Sequence, residues 1–176
     1  MKISHRLVNF GIFCVTATMM LIAYFYFQKH LGLLPCPLCV SQRIFAILTG
    51  IVALIAALHN PEGIAQKTYS VLIALVAAIG ASISGRQVWL QSLPENEVPA
   101  CGPTLGYLYE YFPLQDVLNA MFFGEGSCAE IHWQFLGLSI PAWTLIAFIT
   151  IILICVWQFI RSSSAKTGNA ETENSE

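Results

Sequence analysis

Apolar residues run almost unbroken along this chain in four places. The first stretch extends from about Leu7 to Gln28 and carries no charge. The second runs from about Val40 to Leu58, with Arg43 near its start. The third runs from about Tyr69 to Leu90, with Arg86 near its end, and the fourth, uncharged, from about Pro141 to Ile160. Each matches the ~20 apolar residues that a membrane-crossing helix needs. The runs are continuous, which excludes barrel strands, whose segments of ~10 residues alternate. The first run is also too long for the ~7–15-residue core of a secretory signal, and no small-residue cleavage site follows it, so it is expected to be retained.

Polar positions give the pattern a sidedness. Four crossings place both termini on one side. Lys2, Arg6, Lys67, Arg161 and Lys166 fall with the termini and the middle loop, whereas Lys29 alone lies in the first opposite loop, residues 29–39. The second opposite loop, residues 91–140, has no Lys or Arg from Ser92 to Ile140 but carries Glu95, Glu97, Glu110, Asp116, Glu125 and Glu130. The scarcity of Lys and Arg predicts cytoplasmic termini and two outward, periplasmic loops. Within the long loop, PLQDVLNAMFF predicts a short helix opened by Pro113. Leu114, Val117, Leu118, Met121 and Phe122 share one of its faces, a pattern suited to the membrane interface. Residues 162–176, polar and small, predict a disordered cytoplasmic tail. No internal repeat is present.

Composition agrees. The 176 residues are 56% hydrophobic and 10% charged, with mean hydropathy +0.67, which excludes an ordinary soluble domain, where about 25% are charged. The net charge of −2 leaves no electrostatic footprint for nucleic acid. The predicted fold is an all-α membrane protein, an antiparallel four-helix bundle over residues 1–161. Small residues such as Gly50, Ala53, Gly80 and Ala81 are expected to let its helices approach.

Six cysteines change the picture most. Cys36, Cys39, Cys101 and Cys128 fall on the predicted outer side, which is oxidising in bacteria. Cys14 and Cys155 lie inside spans one and four and read as small apolar residues. Cys36 and Cys39 form CPLC just before the second span. Pro35 and Pro37 favour an extended approach to the helix, which puts Cys39 in or beside its first turn. Unpaired backbone N–H groups there favour an anion, and Arg43 follows one turn later on the same face. Both features promote the reactive thiolate. A zinc ribbon would need two C-x-x-C pairs, and c-type haem attachment would need a following His where Val40 stands. No metal is expected. Cys101 and Cys128 sit in Gly-flanked loop settings, PACGP and GEGSCAE. They suit either a structural staple or an exposed, exchangeable disulfide. Arg86 suits either snorkelling or function. His5, His30, His59 and His132 are scattered and read as passive.

Two cysteine pairs can pass oxidation through a mixed disulfide. A loop pair meets soluble partners, while a pair at the lipid boundary meets an acceptor dissolved in the bilayer. An isoprenoid quinone fits that acceptor, and Arg43 is placed to stabilise the charge that develops on its oxygen.

LPCPLCVSQR, RQVWLQSLP, VPACG and CAEIHWQFLGLSIPAW resemble the DsbB family of bacterial disulfide bond formation proteins, from about Phe10 to Ile160. The resemblance implies an inner-membrane protein-dithiol:quinone oxidoreductase that reoxidises a periplasmic DsbA-like thiol oxidase and reduces ubiquinone or menaquinone. It implies that Cys101 is attacked by the partner, with Cys128 its disulfide mate. Cys36 would exchange with the loop pair, meeting Cys128, and Cys39 would be the thiolate facing the quinone, beside Arg43. Many members carry a histidine shortly after the third span, where this chain has Gln91 and Ser92. Two other readings are weighed against this one. The quinone or vitamin K epoxide reductase group would run the chemistry in reverse, but its C-x-x-C lies late in the chain. A membrane scaffold with inert loop disulfides would be no enzyme.

Overall fold

The computed structural model describes residues 4–94, 97–98, 110 and 113–173, with side chains as far as residue 162. The first span is α1, His5–Leu21, continued by a π-helical segment, Ile22–His30. Helices α2 (Pro37–His59) and α3 (Ile64–Gln91) follow. Helix α4 is Leu114–Phe123, and a 3-10 turn at Gly126–Cys128 leads on. Strands β1 (Gln134–Phe135) and β2 (Leu138–Ser139) form a hairpin that opens directly into α5, Ile140–Glu173. Among the described residues, four helices are long and apolar enough to cross a membrane: His5–His30, Pro37–His59, Ile64–Gln91 and Ile140–Ser162. They start or end within five residues of the boundaries read from the hydropathy pattern. The chain is thus a four-helix membrane bundle, in which α1 packs on α2, α2 on α3 and α3 on α5.

The bundle turns large side chains outward and small or polar ones inward. Ile47, Ile51, Leu75, Ile149 and Leu153 are exposed, whereas Ala53, Ala56, Ala77, Thr49 and Ser84 are buried. Lipid is as apolar as leucine, so helices associate here through close packing and hydrogen bonds. Gly80 is one such contact: a Cβ added there would lie 2.5 Å from Phe148 Cζ. Gly80→Ala is therefore expected to destabilise the detergent-solubilised protein by about 1–3 kcal/mol, since an aromatic ring locked in the core cannot yield cheaply. A thermal melt indistinguishable from that of the parent chain would contradict this packing.

Away from the cysteine-bearing end, the largely apolar core holds a polar network. Gln158 Nε2 donates to Asn9 Oδ1 at 3.1 Å, Ser70 Oγ to Gln158 Oε1 at 3.4 Å and Gln66 Nε2 to Ser70 Oγ at 3.3 Å. All four residues are buried, so this network ties α1, α3 and α5 in one register. Cys14 faces outward and Cys155 lies in the core, as expected of unlinked apolar positions.

Two sequence expectations change. The stretch from residue 162, read as a disordered tail, continues α5 as helical backbone to Glu173. It contains no proline, and extending an existing helix requires no new nucleus. The predicted single apolar face of α4 is split. Val117 and Ala120 are buried, while Leu114, Leu118 and Phe122 are exposed, leaving outside the stripe that an interfacial helix needs.

Candidate functional site

The site is built at the end of the bundle where the π segment and α3 finish and α2 and α5 begin. Cys36 is the N-cap of α2, in extended conformation, and Pro37 occupies the first turn, where its missing N–H costs nothing. The Cys36 sulfur accepts from the Cys39 backbone N–H at 3.4 Å. Cys39 thus sits in the first helical turn, as the two prolines predict. Both residues carry free thiols, with the Cys36 S–H donating to Cys39 Sγ at 2.9 Å.

Cys128 is brought to the same point from far along the chain. Its 3-10 turn begins after Gly124, which has φ of +79°. A Cβ at Gly124 would lie 2.6 Å from Leu38 Cδ1 and 2.9 Å from Leu90 Cδ1. Only glycine combines that backbone with that approach. Ser41 Oγ donates to the Met121 carbonyl at 2.7 Å and Arg86 Nε to the Phe123 carbonyl at 3.3 Å, satisfying carbonyls at the end of α4. Arg86, stacked 4.4 Å over the Trp89 ring, thereby positions the loop helix. Cys128 is fully buried with Leu38, Ile83 and Leu90, and Cys36 packs against this cluster. The neighbouring Cys36 holds the Cys128 thiol well below its ordinary range, at about 6, helped by backbone at Glu125 and Leu38 and by Ser127. Cys128 first, then Cys39 and burial, push the Cys36 thiol upward. Within this pair the negative charge belongs on Cys128 and the proton on Cys36. Cys101 lies outside the described residues.

Beside the sulfurs opens a cavity of about 840 Å³. One wall is apolar: Val15, Met19, Met20, Ile22, Phe27 and Ala46. The hairpin region supplies aromatic groups. Trp133 lies edge-on to Phe27 at 5.0 Å and stacks with Phe135 at 6.0 Å, and Trp143 Nε1 donates to the Phe135 carbonyl at 3.2 Å. The hairpin was not read from sequence. Its turn residues Leu136 and Gly137 both have positive φ, 53° and 77°, the twist that tight hairpins need. A leucine at that place gives no sequence signal.

Polar groups converge on the cavity from four elements. Arg43 lines it, one turn beyond Cys39. Its guanidinium reaches across to the first span rather than to the sulfurs: Nη1 donates to Gln28 Oε1 at 2.8 Å and Nη2 to the Ala23 carbonyl at 3.3 Å. Those acceptors lie in the π-helical segment, a winding often found at functional sites. The donors on the CPLC sulfurs come instead from Gln87, a residue that sequence reasoning missed. Its Nε2 lies 3.3 Å from Cys36 Sγ and 3.3 Å from Cys39 Sγ. Gln91 also lines the cavity and accepts from Ser139 Oγ at 2.6 Å, whereas the Ser92 hydroxyl donates to the Trp89 carbonyl of its own helix. His132, read as passive, stands in the cavity wall with its Nε2 3.6 Å from Glu130 Oε2. No periodicity links these two residues to the site, because the hairpin sets their path.

Comparisons with known proteins give the family. A family model for disulfide bond formation protein DsbB matches residues 5–158. A disulfide bond formation protein B of Saccharophagus degradans is 52% identical over 144 residues, covering 82% of this chain and 87% of the relative. The protein of the same name from Nitrosococcus oceani is 48% identical over 163 residues, covering 92% and 95%. That of Acinetobacter baumannii is 43% identical over 162 residues, covering 92% and 94%. With four spanning helices, a thiol cluster at one end and this match over nearly its whole length, the chain belongs to the DsbB family of membrane disulfide oxidoreductases.

Proposed function

We propose that this chain takes electrons from the reduced dithiol of a periplasmic, DsbA-like thioredoxin-fold oxidase. It passes them to ubiquinone or menaquinone in the bacterial inner membrane, supporting disulfide bond formation in periplasmic proteins. The observation that carries this reading is the meeting of Cys36, Cys39 and Cys128 beside a largely apolar cavity. The scarcity of Lys and Arg on the cysteine side supports periplasmic sulfurs and cytoplasmic termini.

Cys101 is the sulfur offered to the partner and Cys128 its mate, as the family implies. The thiolate of Cys128 attacks Cys36 Sγ of a Cys36–Cys39 disulfide. A Cys128–Cys36 bond forms, the Cys36–Cys39 bond breaks, and Cys39 leaves with the electron pair as thiolate. One negative charge moves and no proton is required. The hydrogen bonds that favour the Cys128 thiolate from Ser127 and from backbone at Glu125 and Leu38 do not depend on a Cys36 thiol and suit the attacking role.

The cavity fits a quinone in chemistry as well as in place. Its apolar and aromatic walls suit a ring and an isoprenoid chain, and Arg43, Gln91 and Ser139 supply hydrogen-bonding groups. A quinone bound here accepts two electrons and two protons. Arg43 retains donors beyond those given to Gln28 and Ala23, and these stabilise charge developing on a bound oxygen. His132, whose Nε2 lies 3.6 Å from Glu130 Oε2, stands half exposed in the same wall.

Purified protein mixed with a reduced DsbA-like partner and a short-chain ubiquinone or menaquinone is expected to consume quinone and partner dithiol in equal amounts. Absence of quinone consumption with both quinones would overturn the proposal in favour of a scaffold with inert thiols.

A further inference from the structure

The best-connected polar group of the site is one to which the thiol relay assigns no role. Gln87 is buried on α3, and Gln42 is buried on α2. Gln42 Nε2 donates to Gln87 Oε1 at 2.6 Å. That bond occupies the Gln87 carbonyl and turns its NH2 toward the CPLC pair. The amide nitrogen then lies within hydrogen-bonding distance of both sulfurs, at 3.3 Å from each. Gln87 Oε1 also accepts from the Cys39 S–H, at the longer distance of 3.7 Å, a bond that ends when Cys39 becomes a thiolate. Two uncharged amides inside a membrane-spanning bundle are costly unless hydrogen-bonded. Here they bond each other and the two sulfurs, which lie in the cavity wall with them.

We infer that the Gln42–Gln87 amide pair is the charge-holding element of the thiol relay. Gln87 Nε2 stabilises the thiolate released at Cys39, and Gln42 fixes the amide so that N–H rather than C=O faces sulfur. This rests on Cys36 and Cys39 being the exchanging pair. When the Cys36–Cys39 bond breaks, the electron pair stays on Cys39 Sγ, and the charge that arrives meets an N–H already in place. The logic is that of an oxyanion hole, a fixed donor aimed where charge develops, with sulfur in the place of oxygen. Gln87 is thus a catalytic residue, in contact with a reacting atom, and Gln42 a positioning residue acting through it.

The test reads the sulfur directly and needs neither partner nor quinone. In the full chain carrying Cys36→Ala, in detergent, Cys39 is alkylated with iodoacetamide and the modified peptide quantified by mass spectrometry. Gln87→Leu is expected to slow alkylation about tenfold near pH ~7, the weight of one hydrogen bond to a charged group. Near pH ~10.5, where thiols ionise unaided, the rate is expected to be unchanged. Gln87→Glu keeps the shape and an acceptor but removes the donor, so it is expected to be at least as slow as the leucine variant near pH ~7. Gln42→Leu should give a smaller loss of the same kind. Unchanged rates near neutral pH would overturn the inference. So would an equal loss at both pH values, which indicates altered access, or full rescue by Gln87→Glu, which indicates that the carbonyl faces sulfur. Any of these leaves the quinone-consumption test standing, and failure of that test leaves the alkylation result standing.

Discussion

Cys39→Ser is expected to bring quinone-coupled oxidation of the partner dithiol down to the uncatalysed background while the bundle folds as before. The substitution keeps a small side chain in the first turn of α2, beside the capping sulfur of Cys36. What it removes is the only atom through which the Cys36 sulfur can form an internal disulfide within this turn. A serine hydroxyl forms no such bond and ionises far above any thiol. Cys36 and Cys128, which pack together at one cluster, can still become linked. The Cys36 thiol can attack Cys128 of the Cys101–Cys128 disulfide that the family implies, releasing Cys101 as a thiol, so the variant should accumulate a Cys36–Cys128 bond, visible by mass spectrometry of the non-reduced protein. Quinone reduction that survives Cys39→Ser would show that electrons leave by another sulfur.

Arg43→Met should have the second largest effect, a loss of about 10²–10³ in kcat, the usual consequence of removing one donor that meets developing charge. Methionine preserves much of the apolar stem, so the cavity wall remains closed. Arg43→Lys is expected to recover only a minor part. A lysine ammonium is a point charge and cannot span Gln28 Oε1 and the Ala23 carbonyl as the planar guanidinium does. Measuring kcat and KM for quinone at saturating partner separates this role from simple binding. If only KM rises, Arg43 holds the acceptor without stabilising its charge.

The two arguments differ in how early they can be made. CPLC announces itself: two prolines, a helix start and a basic residue one turn on are all local. The structure places Cys36 as the cap and Cys39 in the first turn, as that local pattern requires. Arg43 is in the cavity wall, but its partners are not the ones that sequence suggests. Proximity along α2 points to Cys39, whereas the long guanidinium crosses to a π-helical stretch of the first span. Nothing in IAYFYFQKH declares that winding, because π and α helices use the same residue types. Gln42, Gln87 and His132 were equally illegible. An isolated glutamine on an apolar helix has no periodicity to mark it, and only the approach of α2 to α3 makes Gln42 and Gln87 a pair.

The sequence by itself determined the four spans, because the length and continuity of an apolar run are set by the thickness of lipid and need no knowledge of neighbours. It determined the local chemistry of CPLC for the same reason, since capping and proline geometry act within one turn. The approach of Cys128 to Cys36, the glycine that permits it, the amides behind the sulfurs and the histidine in the cavity wall were decided only by tertiary structure. Each depends on residues dozens of positions apart, and such contacts follow from how small side chains and buried polar groups let helices close on one another.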